Sequence, residues 1–444
     1  MMETDNKQIC VLGMGYVGIT LSVVLAEVGY QVDGIDIDKE VVTTLNKGNP
    51  HIYEKNLAIR LRQQVKNNRA QFFTEAPDIY YDSIIVSVGT PLKEGTKEPN
   101  LSYLRQVIKD VARLIRKGTL VCMRSTIPVG CIRADILPVL ESESGLRVGT
   151  DFYLASTPER TIEGKALQEL RENSQIVGGI TELCAEKAAN LFLKITSTVV
   201  TVSSVEVAEF SKIIDNTFRD FKFSFANEMA LISEKIGIDI HEVINAANLH
   251  YPRNVIPVPS PGVGGACLSK DPHILIDVAK RYNHHSRLIS EARNINESYP
   301  GLIAKRIQKE FTHLGGKLDQ ATVMVVGFAF KGNPETADLR NSTTITLVEE
   351  LRSLSKCSIK GFDPIVKKGD IQLIEGVQAV ELEDGFDKID ILILANNHET
   401  YRDWDISMIL SKMNRPAIIY DGWRMLDKNI VEEYENVVYM SPGL

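Results

Sequence analysis

The stretch QICVLGMGYVGITLSVVLAEVGYQVDGID, residues 8–36, decides the fold. Residues 8–12 form a short apolar run of strand length, closed by Gly13-Met14-Gly15-Tyr16-Val17-Gly18. An apolar, helix-compatible stretch covers 16–29, and 31–36 reads as a second strand ending on Asp36. Strand, glycine turn, helix, strand and acid follow in the order of a dinucleotide-binding βαβ unit. Gly13 permits the tight turn, Gly15 lets the backbone approach a pyrophosphate, and Gly18 lets helix and strand pack closely. The helix start offers free N–H groups and partial positive charge to phosphates. Asp36 accepts hydrogen bonds from ribose hydroxyls and repels a 2′-phosphate, which selects NAD over NADP.

Working outward, 83–88, 119–123 and 152–155 read as further strands, with helical patterns between them, notably 101–116. Alternation of this kind implies a parallel sheet covered on both faces. From about 203 to 235 the texture changes to a Pro-free helical pattern, opened by serine and closed by Gly237. A helical segment continues to about 249, a Pro- and Gly-rich loop covers 252–265, and helices resume to about 312. From 321 the alternation returns, in ATVMVVGFAF, a helix at 342–353, CSIKGFDP, DILILANN and a last strand in PAIIYDGW. The expected architecture is α/β: two Rossmann-like doubly wound domains joined by a central all-helical domain with one long helix. The boundaries are 1–200, 201–312 and 313–444.

Composition narrows the function classes. The 444 residues hold 50 Lys plus Arg against 58 Asp plus Glu, a net charge of −8. A basic excess is the footprint of a nucleic-acid binder, so none is expected. No apolar run approaches the roughly 18 residues of a spanning helix, so no membrane partner is expected either. The polar opening MMETDNKQIC does not read as a signal peptide. Six cysteines, at 10, 122, 131, 184, 267 and 357, show no metal-ligand spacing and read as reduced thiols of a cytoplasmic protein. No metal site is expected. Cys10, Cys122 and Cys357 lie in or beside apolar runs and read as buried filler.

Cys267 stands apart. It follows Gly262-Val263-Gly264-Gly265-Ala266 and precedes Leu268-Ser269-Lys270-Asp271. Glycines admit a substrate close to the backbone, and a nearby cation favours thiolate over thiol. Spacing alone leaves a buried, inert cysteine as the other reading. Lys212 and Asn216, four apart on the long helix, share a face and could serve an oxyanion, or simply lie on a solvated face. Ser156-Thr157-Pro158-Glu159-Arg160, with Glu163-Gly164 after it, follows a strand end, where α/β sheets present ligands. Glu159 could act as a base and Glu163 as a ligand, or both could be ordinary helix-start acids. Arg124-Ser125-Thr126-Ile127-Pro128-Val129-Gly130 follows another strand. Gly327, Lys331 and Arg340, near the first strand of the last domain, suit a phosphate-bearing ligand.

Together these stretches resemble the UDP-glucose/GDP-mannose dehydrogenase family, the nucleotide-sugar 6-dehydrogenases. GMGYVG with GIDID, STIPVG, TPER with IEG, EFSKIIDN, PGVGGACLSKD, GFAFK, LRNS and FDP occur in the family's order across nearly the whole chain. The resemblance implies oxidation of a sugar-nucleotide C6 alcohol to a carboxylate with two NAD⁺ and no metal. It implies Cys267 as the nucleophile that captures the aldehyde and carries a thioester. Lys212 and Asn216 match the oxyanion-stabilising pair, Glu159 the base, Asp271 the acid beside the cysteine loop, and Thr126 a water- or hydroxyl-positioning group. For the cofactor it implies Gly13, Gly15, Tyr16, Val17, Gly18, Asp36, Gly89, Thr90, Glu163 and Arg340, with Thr126 beside them. For the substrate it implies Glu159, Arg160, Lys212, Arg253, Gly264, Phe330 and Lys331. Arg253 reaching a neighbouring subunit's sugar implies a homodimer through the central helical domain.

TPER with ELRENSQIVGG, and His250-Tyr251-Pro252-Arg253, resemble the branch acting on UDP-N-acetylhexosamines; Ala266-Cys267 with Ser269-Lys270-Asp271 resembles UDP-glucose enzymes. UDP-GlcNAc or UDP-ManNAc is favoured over UDP-glucose. A two-electron hydroxyacid or 6-phosphogluconate-type dehydrogenase would share the first domain and long helix, but needs neither Cys267 nor a third domain. A silent nucleotide-sugar binder would have lost the Cys, Lys or Asn, and all three are present.

Overall fold

The computed structural model describes residues 7–253 and 255–444. The opening residues 1–6, including most of the polar start, lie outside the described residues. Backbone contacts divide the chain into two compact units, Met1–Asp215 with His273–His285, and Asn216–Pro272 with Ser286–Leu444.

The first unit holds eight strands: β1 (Gln8–Leu12), β2 (Gln31–Ile35), β3 (Ala70–Phe73), β4 (Ser83–Val86), β5 (Leu120–Met123), β6 (Tyr153–Ser156), β7 (Gln175–Gly179) and β8 (Val199–Val202). Their order is β3-β2-β1-β4-β5-β6-β7-β8, so the chain reverses direction across the sheet between β1 and β4. β1, β4 and β5 are buried along nearly their whole length, which explains their unbroken apolar runs. The expectation of a purely parallel sheet needs one correction: β6 and β7 pair antiparallel, Ala155 opposite Gly179. Between them lies only residues 157–174 with one short helix, Ala166–Glu172, which returns the chain beside β6 without a full crossover.

The second unit holds β9 (Thr322–Val326), β10 (Ser358–Phe362), β11 (Val377–Ala379), β12 (Ile391–Leu394), β13 (Ala417–Asp421) and β14 (Val437–Met440). All pairs are parallel, in the order β11-β10-β9-β12-β13-β14. β13 was expected to be last; β14 adds one more edge strand. Along the chain, the strands of the two sheets are separated by the helices Val205–Ile236, Ile240–Asn248, Asp271–Arg281 and Arg287–His313.

The long helix begins where expected. The Ser204 hydroxyl accepts from the Val207 N–H at 3.4 Å, and Gly237 ends the helix at φ +74°, a left-handed stop. Five cysteines are buried and Cys267 is exposed. Burial pushes the Cys122 thiol up to about 12 and raises those of Cys10, Cys131 and Cys357, which disfavours the thiolate at all four.

Candidate functional site

The glycine turn after β1 has the geometry its sequence predicts. Gly13 sits at φ +90° and donates to the Ile35 carbonyl at 2.8 Å. A Cβ on Gly18 would stand 1.8 Å from the Gly13 carbonyl oxygen, so only glycine lets helix and turn meet there. A Cβ on Gly15 would meet no protein atom within 4 Å. Gly15 is the N-cap of helix Tyr16–Glu27, and no side chain caps that end. Gly15 therefore leaves open space over the helix start, and its uncapped N–H groups suit a pyrophosphate. The Asp36 carboxylate accepts from the Met14 N–H at 2.8 Å and the Asp38 N–H at 3.0 Å. It is thus held beside the turn, with Val17 inside the first helical turn. These residues fit NAD.

A residue the motifs did not point to links this turn to the TPER loop. Buried Glu54 accepts from the Tyr16 hydroxyl and from the Gly164 N–H at 2.7 Å. Gly164 also donates to the Tyr16 oxygen at 2.8 Å. Glu163, half-buried, precedes that anchor, so the structure brings Tyr16 and Glu163 to one place. Glu54 carries no local signal, because its partners lie 38 and 110 residues away in sequence.

Thr90 is buried just past β4, after Gly89, and donates to the Thr126 carbonyl at 2.5 Å. The STIPVG loop is fixed further by Ser125, which donates to the Val88 carbonyl at 2.7 Å. Arg124 serves the scaffold: buried, it donates to Gln175 at 2.9 Å and to the Thr157 carbonyl at 3.2 Å. From the long helix, Glu209 accepts from the Gly130 N–H at 2.6 Å and the Ile132 N–H at 3.0 Å. Lys212, only 6% exposed, places Nζ 4.0 Å from Glu159 Oε2. The solvated-face reading of Lys212 fails, since a cation is buried there only against a partner. Glu159 also accepts from the Thr161 N–H. Arg160 pairs with Asp215 at 2.8 Å, so its guanidinium is held on the long helix.

In the second unit, Asn216 is buried and donates to Asp271 Oδ2 at 2.6 Å. Asp271 is fully buried, and its other oxygen lies 3.3 Å from Lys270 Nζ. Asp271 opens helix Asp271–Arg281, and its N–H donates to the Cys267 carbonyl at 2.9 Å. The turn that carries the exposed Cys267 is therefore tied through its backbone to the Asn216–Asp271–Lys270 cluster. A Cβ on Gly264 would stand 2.3 Å from the Asn341 carbonyl, and one on Gly265 2.6 Å from the Phe330 ring. Both glycines serve close packing against the segment after β9. Lys331 Nζ lies 5.5 Å from the Phe330 ring centroid. Arg340 is exposed and pairs with Asp338 at 2.5 Å. Arg253 is exposed, its guanidinium 5.5 Å from the Tyr251 ring.

The first turn of the second sheet repeats the glycine geometry of the first. Gly327, at φ +91°, donates to the Phe362 carbonyl at 2.9 Å, as Gly13 does to Ile35. Asp363 accepts from the Ala329 N–H at 2.9 Å, as Asp36 does from Met14. Asp363 is buried and also accepts from the Ile365 and Val366 N–H groups. Its oxygens are spent on the backbone, so it does not repeat the ribose-reading role of a half-exposed acid.

Comparison with known proteins follows the same three-part order. Residues 7–196 match the NAD binding domain of the UDP-glucose/GDP-mannose dehydrogenase family, residues 206–298 its central domain, and residues 324–428 its UDP binding domain. A UDP-N-acetyl-D-mannosamine dehydrogenase of Pyrococcus horikoshii is 34% identical over 429 residues, covering 96% of each chain. An NDP-N-acetyl-D-galactosaminuronic acid dehydrogenase of Ralstonia solanacearum is 32% identical, covering 93% of this chain and 96% of its own. The solved structure of UDP-D-ManNAc dehydrogenase from Pyrococcus horikoshii superposes with a TM-score of 0.88 at 33% identity, over 98% of this chain and 99% of the other. Matched in all three domains and along nearly its full length, the chain belongs to the UDP-glucose/GDP-mannose dehydrogenase family, whose members are NAD-dependent nucleotide-sugar oxidoreductases.

Proposed function

We propose that this protein is a UDP-N-acetylhexosamine 6-dehydrogenase, with UDP-ManNAc as the leading substrate and UDP-GlcNAc next. The observation that carries the reading is the exposed Cys267 thiol on a glycine turn anchored to Asn216, Asp271 and Lys270, in a chain of this family. Two similar relatives are named for N-acetylated sugar nucleotides, UDP-N-acetyl-D-mannosamine and NDP-N-acetyl-D-galactosaminuronic acid, which supports the acetamido sugar. UDP-glucose is the second reading, favoured by the Ala266-Cys267 context and the intact Lys270–Asp271 pair.

Gly13, Gly15, Gly18 and Asp36, with Tyr16, Val17, Gly89, Thr90, Glu163 and Arg340, would hold NAD⁺, which would supply the hydride acceptor for both oxidations. Oxidation of the C6 alcohol gives an aldehyde. The Cys267 thiolate then forms a C–S bond to that carbon, giving a thiohemiacetal oxyanion that Lys212 and Asn216 stabilise. The second oxidation turns this adduct into a thioester. Water, deprotonated by Glu159 and positioned by Thr126, attacks the thioester; the C–S bond breaks and the thiolate returns. The balance is one alcohol, two NAD⁺ and one water giving one carboxylate, two NADH and three protons. Asp271 holds Asn216 in place and sets the field at Cys267. Arg160, Gly264, Phe330 and Lys331 contact the sugar nucleotide.

In this reading residues 1–200 hold NAD, 201–312 the cysteine loop and dimer contacts, and 313–444 the UDP-sugar. Val207, Phe210, Ile214, Phe218, Phe225 and Ile232 form an exposed apolar stripe at three-, four- and seven-residue steps on the long helix. Such a stripe is suited to a second copy of the chain, which would also bring Arg253 to a neighbouring site. Among the described residues no helix is long and apolar enough to cross a membrane. A reaction that consumes NAD⁺ and needs a reduced thiol at Cys267 supports a cytoplasmic reading. The test is turnover with UDP-ManNAc, UDP-GlcNAc, UDP-glucose and GDP-mannose in parallel, followed by NADH absorbance and product mass. The reading predicts the highest kcat/KM with an N-acetylhexosamine; a preference for UDP-glucose would overturn it.

A further inference from the structure

Behind the cysteine loop lies a buried polar network that the reaction as described does not use. Asp220 and Asn227, seven apart, share one face of the long helix. Arg293 and Asn296, three apart, share a face of helix Arg287–His313. Arg293 Nη1 donates to Asp220 Oδ1 at 2.6 Å, and Asn296 donates to the same oxygen at 2.9 Å. Asn227 donates to Asn296 at 3.1 Å. All four are at most 2% exposed.

The network reaches the loop at both ends. Arg293 Nη1 lies 3.4 Å from the carbonyl of Leu268, the residue after Cys267. Asn227 accepts from the Ser260 N–H at 2.8 Å, and the Ser260 hydroxyl donates to the Gly262 carbonyl at 2.9 Å. Gly262 itself lies against this helix: a Cβ there would stand 3.0 Å from the Asn296 carbonyl. Ser260 to Leu268 is thus clamped from beneath at its first turn and just past the thiol.

Stability is a weak explanation for such an arrangement. A buried ion pair gains little over well-packed apolar side chains of the same volume, because both charges must be desolvated. Here the pair is not even fully satisfied: Asp220 Oδ2 and Arg293 Nε have no hydrogen-bond partner. What the pair does provide is direction. A forked guanidinium fixed by Asp220, and by Glu297 at 3.2 Å, can aim one N–H at a loop carbonyl. Leu or Met in its place cannot.

We infer that Asp220, Arg293, Asn296 and Asn227 are positioning residues for the nucleophile loop, holding the Cys267 sulfur where it meets the bound aldehyde. The inference rests on the reading of Cys267 as the nucleophile. Loss of the clamp leaves substrate and NAD binding intact and lets the aldehyde escape before capture.

The test is the paired apolar replacement Asp220→Leu/Arg293→Met, which removes both charges together. Expected are a melting temperature near that of the wild type and a KM for NAD⁺ within about twofold. A kcat lowered by about tenfold to a hundredfold is expected, the scale of a misplaced reacting group. Free aldehyde trapped by hydroxylamine during turnover rises, and iodoacetamide labels Cys267 with an altered pH profile. Wild-type kcat and no trapped aldehyde in the folded double variant would overturn the inference. Should the double variant not fold, Asn227→Ala removes only the Ser260 anchor: lowered kcat with trapped aldehyde supports the clamp, and unchanged turnover overturns it. Cys267→Ser is run beside them. If that variant turns over fully, the nucleophile reading has failed; if it is inactive while the double variant is fully active, only the clamp has failed.

Discussion

Two glycines three residues apart give opposite predictions, and the contrast tests whether the first turn is a cofactor site. In Gly18→Ala the new Cβ meets the Gly13 carbonyl oxygen at 1.8 Å and the Ser87 hydroxyl at 2.9 Å. Carbon and carbonyl oxygen need about 3.3 Å, so helix and turn must part by about 1.5 Å. Overpacking of that kind costs about 2–3 kcal/mol. For a unit of this size that lowers the melting temperature by roughly 5–10 °C. In Gly15→Ala nothing in the protein is touched, and Gly15 at φ −64°, ψ −167° is in a region alanine accepts. A poorer N-cap costs up to about 1 kcal/mol, and the stiffer unfolded chain offsets about 0.4–1 kcal/mol of it. The melting temperature therefore stays within about 3 °C. NAD binding behaves differently. The methyl stands over the N–H groups that meet the pyrophosphate, and each such charge-assisted bond contributes about 1.5–3 kcal/mol. Affinity should fall at least about tenfold. Thermal melts and calorimetric titration with NAD⁺ on both variants decide it. Gly15→Ala with native stability and native NAD affinity would refute the reasoning.

Three further outcomes are expected. Asp36→Ala should weaken NAD⁺ binding and raise the ratio of NADP⁺ to NAD⁺ efficiency by about tenfold or more, read from kcat/KM with each cofactor, because it removes the charge that repels a 2′-phosphate. Burial pushes the Glu209 carboxyl up to about 7 from an ordinary 4.5. Its folded-state value is raised, so its contribution to stability is fully present below the unfolded value and is lost as pH rises through the folded one. Melting curves of wild type and Glu209→Gln between those two values should therefore differ in slope, with the wild type falling more steeply; parallel curves would contradict the assignment. If the exposed apolar stripe is the proposed dimer seam, Phe218→Glu should sediment as a monomer at concentrations where the wild type is a dimer; a wild type that sediments as a monomer would contradict the proposal.

The first βαβ unit was fully legible in the sequence, since each of its constraints is local. Gly13, Gly18 and Asp36 act on neighbours within one turn and two strands, and the structure places them so. The long helix was equally plain, from its period and its Ser204 and Gly237 ends. The antiparallel β7 was not legible: strand direction depends on where a short connection lands, which composition does not encode. Nor was β14 distinguished, a four-residue strand, Val437–Met440, at the sheet edge. At the site, the one-face spacing of Lys212 and Asn216 could be read but their burial could not, and burial removes the solvated-face alternative. Arg160 could be read as a ligand residue, but its pairing with Asp215 on the long helix, 55 residues away in sequence, could not. Glu54, and the Asp220–Arg293 pair separated by 73 residues, were invisible for the same reason. A buried polar group is recognisable only once its partner is in place.

The central claim is that Cys267 carries one sugar through two oxidations. It is tested most directly by the ratio of NADH formed to carboxylate formed with UDP-ManNAc, for the wild type and Cys267→Ser. The account predicts two NADH per carboxylate in the wild type and, for Cys267→Ser, at most one NADH per site with no carboxylate. One NADH per product in the wild type, or carboxylate formed at the wild-type rate without the thiol, would contradict it.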